Sequence, residues 1–189
     1  MTDSTLTAIV KDVLAETRAP GFCERLTELL MEICRVDTTP NADVSVMRDA
    51  ESAVFAVIER ELERVEFPTA HRDRRPINPE IAAHPAYSLL HFTKTEERPE
   101  GLCPTAVYGD RCNLLYFVPG AGPADREHSG VAVNAHIDVV HPYFPPRLAD
   151  GIVYGRGSCD DKGGIIGIVS ALRILSRVLP KHGLCFRDN

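Results

Sequence analysis

Val131 to Val140, VAVNAHIDVV, is an apolar run broken near its end by one imidazole and one carboxylate, and Tyr154 to Gly164, YGRGSCDDKGG, is a glycine-rich turn around paired acids. Beyond the turn, Ile165, Ile168, Val169, Leu172, Leu175 and Leu179 recur at helical spacing up to Pro180. The expected order is strand, glycine turn, helix, which asks for a fold in which helices cover a sheet. Side chains two apart on a strand face the same way, so His136 and Asp138 project together. Asp160 lies in the turn that enters the helix, whose outward face carries Ser170, Arg173 and Arg177.

The rest of the chain supplies the other elements. Leu6, Ile9, Val10, Val13 and Leu14 predict a short amphipathic helix that stops before Ala19-Pro20-Gly21. Phe22, Leu26, Leu29, Leu30 and Ile33 mark a second helix, ended by Asp37-Thr38-Thr39-Pro40. Val46 to Val65 carries a longer stripe, a third helix expected to pack on a sheet. From Glu66 to Arg111 repeated prolines break any long element; a short strand is expected near Val65 to Thr69, with Tyr87 to Phe92 as another candidate. Asn113 to Val118 predicts a strand closed by Pro119-Gly120, and the polar run Ala124 to Ser129 leads into a strand over Gly130 to Val140. The segment between the two chemical blocks, HPYFPPRLADGIVYG, reads as a loop, and Leu184-Cys185-Phe186 as the start of a further strand. The whole predicts an α/β domain with helices on both faces of its sheet.

Composition narrows the partners. The 189 residues suffice for one domain with a core, and 27 acids against 21 scattered bases, a net charge of -6, argue against nucleic acid or an anionic membrane. The N-terminus, MTDSTLTAIVKDVLAET, lacks a basic leader region, and no segment reads as apolar for long enough to span a bilayer, so a cytoplasmic location is expected. Six cysteines without a CxxC pair read as free buried thiols in a reducing compartment.

A His-x-Asp on a strand is commonplace as a satisfied histidine. Here it lies at the end of an apolar strand, where α/β sheets place ligands, and a second acid stands in the glycine-rich turn. Imidazole with carboxylates suits zinc, and an acid beside a ligating histidine usually orients it; Asp138 suits either role. Metal pairs about 3.5 to 4 Å apart are commonly bridged by a carboxylate and lower the pKa of bound water to about 7, and Asp160 is a candidate bridge. A phosphate cradle is disfavoured, because GRGSCDDKGG fits neither GxGxxG nor a P-loop and its acids repel phosphate. Asp161 is as well read as a helix N-cap, Lys162 has no readable role, and His141 just beyond the strand reads as solvated.

HIDVV followed by FPPRLADGIVYGRGSCDDKGG resembles the signature of the dizinc amidohydrolases and peptidases that include acetylornithine deacetylase, succinyl-diaminopimelate desuccinylase, aminoacylase and the carboxypeptidase G type enzymes. The VDTTP turn and the Asn113 strand ending in VPG extend the likeness upstream. The resemblance implies a zinc-exopeptidase-like catalytic domain, a three-layer sandwich around a mostly parallel sheet. It makes His136 a ligand of one zinc, Asp138 the acid that orients it and Asp160 the carboxylate bridging two zinc ions, with cobalt or manganese as substitutes. Cys159, where the family usually has a small residue, reads as a packed thiol. The implied substrate is a small acylated amino acid or peptide, and the full-length form a homodimer.

The family's Glu-Glu pair, which supplies the general base and a ligand, does not follow Asp160, and its later carboxylate, histidine ligand and dimerisation domain have no counterpart. Residues 1–189 thus resemble the N-terminal portion of the catalytic domain, expected to bind metal feebly, to hydrolyse nothing usefully and to leave an apolar edge near Leu114 or Val133 unpaired. The alternative is a non-catalytic remnant or interaction protein that keeps the fold. An unrelated binding domain with a chance His-x-Asp is the remaining reading.

Overall fold

The computed structural model describes residues 2–84, 91–121 and 130–186. Helix α1 (Asp3–Thr17) starts under the Thr2 hydroxyl, which accepts from the Thr5 amide, and α2 (Phe22–Cys34) follows the Ala19-Pro20-Gly21 break. Helix α3 (Val44–Leu62) is capped by Asp43, whose carboxylate accepts from the Ser45 amide and hydroxyl. All three follow the apolar periodicity. On α1, however, Ile9 is buried while Leu6, Val10 and Leu14 stay exposed.

The first strand departs from expectation. Val65 to Thr69 forms none, and β1 is His71–Pro76, a charged and largely exposed segment that no apolar alternation could announce. Its place is set by ion pairs to the end of α3, Arg72 to Glu63 at 3.1 Å and Arg74 to Glu59 at 2.7 Å, and by its ladder to β2. After 3₁₀ turns at Pro79–Ala83 and His91–Thr93 and the short helix α4 (Pro104–Tyr108), β2 runs over Cys112–Phe117, close to the expected strand. The two pair antiparallel, His71 opposite Phe117 and Pro76 opposite Cys112. Most of the Tyr87 to Phe92 candidate and the polar run Ala124 to Ser129 lie outside the described residues.

The larger departure is Val131 to Val140, which forms no strand. Among the described residues no strand pairs with it, and Val131 and Val133 are 90% and 65% exposed. An apolar sequence becomes a strand only when a neighbour takes up its amides and carbonyls. Nor is the following segment a plain loop: β3 (Arg147–Ala149) and β4 (Ile152–Tyr154) form an antiparallel hairpin. Its turn residues, Asp150 and Gly151, have φ of 52° and 74°, the positive values that a two-residue hairpin turn requires.

Helix α5 (Lys162–Lys181) continues one residue past Pro180. By length and composition it could cross a membrane, contrary to the sequence expectation, but here it packs on α1, α2 and α3 with Ile165, Ile166, Val169, Ile174 and Val178 buried. Leu29 and Ile33 of α2, Val54, Phe55, Ile58 and Leu62 of α3, and the first turns of α5 make one core, against which Leu114 and Tyr116 of β2 and Ala135 and Ile137 rest. Arg173 and Arg177 are only partly exposed and are drawn toward acidic partners. Arg173 comes within 3.9 Å of buried Glu61, already held by Arg25 at 3.1 Å and Arg64 at 2.9 Å, and Arg177 pairs with Glu66 at 3.1 Å. Leu184 to Phe186 forms no strand, although the Phe186 carbonyl accepts from the Ala121 amide at 2.8 Å. The six thiols are free, but Cys34 alone of them is buried and Cys23, Cys103, Cys159 and Cys185 are exposed. Among the described residues the strands thus form two small antiparallel sheets beside a helical core, and no parallel pair is present.

Candidate metal centre

His136, Asp138 and Asp160 line one open cavity of about 200 Å³, together with Val139, Val140 and the loop Gly155 to Cys159. His136 and Asp138 project to one side, Nδ1 and the carboxylate 3.3 Å apart, as the spacing predicts. The loop holding Asp160 is shaped by its glycines. Gly157 has φ of 86° and sits where a Cβ would meet Val139 at 2.8 Å, and its carbonyl accepts from the Lys162 amide at 3.0 Å. At Gly155 a Cβ would press on the Pro146 backbone at 2.9 Å. Arg156 stacks 4.8 Å over the Phe144 ring and donates to the Pro142 carbonyl at 3.0 Å, closing the loop onto the segment before the hairpin.

The imidazole is gripped at both nitrogens. Nδ1 lies 2.9 Å from the Asp138 carbonyl oxygen and 3.3 Å from its carboxylate, so Asp138 orients the ring through its main chain as well as its side chain. Nε2 lies 3.2 Å from Asp160 Oδ1. With Nδ1 donating to a carbonyl, the Nε2 of a neutral ring carries a lone pair, and it points at a carboxylate oxygen that also only accepts. Two facing acceptors need a cation between or upon them: a proton on Nε2, or a metal.

The surroundings of the ring bear on both options. Partial burial acts to lower the pKa of His136, but the Asp138 carbonyl and the charges of Asp138 and Asp160 outweigh it and hold the pKa above the ordinary 6.5. Two donors on one tetrahedral zinc, each about 2.0–2.1 Å from it, stand about 3.3 Å apart, close to the separation seen. The side chains of His136, Asp138 and Asp160 are 50%, 73% and 89% exposed, so an ion reaches them freely. The pair therefore fits as two ligands of a metal. Among the described residues no group of three or more His, Cys, Asp or Glu side chains could hold one.

Other residues fell differently from their sequence reading. Cys159 is an exposed thiol on the cavity wall, not a packed one. Asp161 occupies the N-cap position of α5, yet its side chain makes no capping hydrogen bond. His141 is exposed, as read from the sequence, and its Nε2 also donates to the Pro40 carbonyl at 2.9 Å. Lys162 is the residue the sequence reading missed. It is fully buried, and its ammonium donates to the Ile33 and Val36 carbonyls at 3.1 and 2.8 Å. Burial pushes its pKa down, opposed by Cys34 and Asp37. The signal was present, since 162, 165, 166 and 169 share one helical face and place Lys162 on the buried stripe.

An imidazole thus meets one carboxylate at 3.2 Å while a second acid holds the ring from its other nitrogen. Residues 132–186 match the family model described as Peptidase family M20/M25/M40. A LysW-lysine/LysW-ornithine hydrolase of Saccharolobus solfataricus is 27% identical over 62 residues, covering 33% of this chain and 18% of that protein's length. No solved structure matches the chain.

Proposed function

We propose that these residues belong to a hydrolase of the M20 type and carry half of a dinuclear zinc centre acting on an amide or peptide bond. The observation that carries the proposal is the approach of His136 Nε2 and Asp160 Oδ1 to 3.2 Å while Nδ1 lies 2.9 Å from the Asp138 carbonyl oxygen. The family match over residues 132–186 and the hydrolase relative support the same reading. His136 is then a ligand of one zinc, Asp160 the carboxylate shared by two, and Asp138 the group that holds the ring. Cobalt or manganese could take the same donors. A bound metal of this kind supplies a polarised carbonyl and a water whose pKa falls to about 7. In this chain Asp138 fixes the tautomer through Nδ1, which keeps the Nε2 lone pair free for metal.

In the complete fold the run Val131 to Val140 would be a strand of a mostly parallel sheet inside a three-layer sandwich. Residues 1–189 would be the N-terminal portion of the catalytic domain of a cytoplasmic homodimer. The remaining ligands and the general base would come from outside these residues, and the substrate would be a small acylated amino acid or peptide. General-base proton transfer contributes about 10² to 10⁴ in rate, so hydrolysis by this chain alone should be negligible.

Calorimetric zinc titration tests the assignment. Weak binding that disappears in Asp160→Ala is expected. Tight binding of two ions, or binding unchanged by that substitution, would refute it. In a version that also carries the missing ligands, Asp160→Ala should abolish turnover.

A further inference from the structure

His136 and Asp160 lie on segments that share no ladder, yet they meet at 3.2 Å. Something else must set that distance. From the side of the run, the Thr38 hydroxyl donates to the Ile137 carbonyl at 2.5 Å and the Val139 amide donates to the Thr38 carbonyl at 3.3 Å. These bonds clamp the main chain on both sides of Asp138. Further along, His141 donates to Pro40, and the Tyr143 hydroxyl lies 3.1 and 2.9 Å from the Cys34 and Arg35 carbonyls. From the side of the glycine loop, the Lys162 ammonium reaches the same short stretch, at Ile33 and Val36.

Every one of these contacts ends on residues 33–40, the last turn of α2 and the bend after it. The stretch is itself braced, because the Thr39 amide and hydroxyl both donate to Asp37 Oδ1, at 2.9 and 2.7 Å. The ammonium of Lys162 sits where the carbonyls of α2 concentrate negative partial charge, the favoured position for a cation at a helix end. None of these groups competes with His136 or Asp160 for a metal. We infer that the turn at residues 33–40 is a platform that sets the separation of His136 and Asp160, with Thr38 and Lys162 as its positioning residues. The metal-binding consequence rests on the function proposed above; the positioning itself does not.

Two readouts separate the claims. Zinc affinity is measured by competition with a chromophoric chelator. The tautomer of the His136 ring is measured without metal, by long-range proton–nitrogen NMR at one fixed alkaline pH. Thr38→Val and Lys162→Met should each weaken zinc binding about tenfold, the range typical of groups that orient ligands, and should turn a single His136 tautomer into a mixture. Thr38→Ser keeps the hydroxyl and should restore both readouts, which loss of packing alone would not explain. Folded Thr38→Val and Lys162→Met chains with parental affinity and a single tautomer would overturn the inference. If zinc binding proves indifferent to Asp160→Ala, the metal reading fails and the tautomer alone decides the positioning role. If Lys162→Met does not fold, the Thr38→Val and Thr38→Ser pair decides it.

Discussion

β2 and the run from Val131 to Val140 are both apolar, and each sends side chains to the same core, Leu114 and Tyr116 from one, Ala135 and Ile137 from the other. Only β2 is a strand, because β1 lies against it over its full length. The second run is left with Val131 and Val133 in solvent and is fixed from residue 137 onward by the α2–α3 turn. Apolar character draws a segment toward a core; a neighbour with free amides and carbonyls makes it a strand. The functional residues sit at the end of the run that found other partners.

The contrast can be broken most forcefully by truncation. Ile33→Ala, in the core shared by both segments, should lower stability by about 2–5 kcal/mol in urea unfolding, whereas Val131→Ala should stay within about 0.5 kcal/mol. A large loss at Val131 would mean that the start of the run is packed after all. Hydrogen exchange should next show the β1–β2 amides protected on the order of 100-fold beyond those of 131–134, with Val139 protected through Thr38. Equal protection in the two segments would erase the distinction.

An unpaired apolar edge also invites association. Val133→Lys should reduce the concentration-dependent scattering of the chain, and a parent that stays monomeric at high concentration would contradict this. The smallest effect concerns pH. His136 has a raised pKa, so the stability it contributes is fully present below 6.5 and is lost as the pH rises through the higher folded value. Because the ring is half exposed, the difference between parent and Asp160→Asn should be no more than about 0.5 kcal/mol. An NMR titration placing His136 at or below its ordinary value would remove the effect.

The helices were legible because burial imprints a period on them: the stripes on α2 and α3 appear in the sequence much as they pack. On α5 the helix was legible but the buried face is rotated, with Ile166, Ile174 and Val178 buried and Ile168, Leu172, Leu175 and Leu179 only partly so. β1 was not legible, since a charged strand tied by arginines to Glu59 and Glu63 carries no alternation. The hairpin was overlooked although Asp150-Gly151 announces it. His136 and Asp138 could be paired from their spacing alone, and Asp160 was a candidate third member from its place in the glycine-rich turn, to which the resemblance added a definite role. The anchoring by Thr38, Tyr143 and Lys162 could not be read in advance, since it depends on main-chain carbonyls that any residue supplies. Lys162 was the exception in principle, a lone cation on an apolar helical face.

The bond from Lys162 to Ile33 joins residues 129 positions apart. Chains emerge during synthesis at roughly 5–20 residues per second, so the platform at the end of α2 waits about 6–25 seconds before the lysine that completes it is made. Through that interval the Ile33 and Val36 carbonyls must remain hydrated, and the glycine loop cannot be fixed against them. The centre therefore takes shape only after the glycine loop and the start of α5 are made, and a nascent protein interrupted before residue 162 has α1 to α4 but neither α5 nor a site.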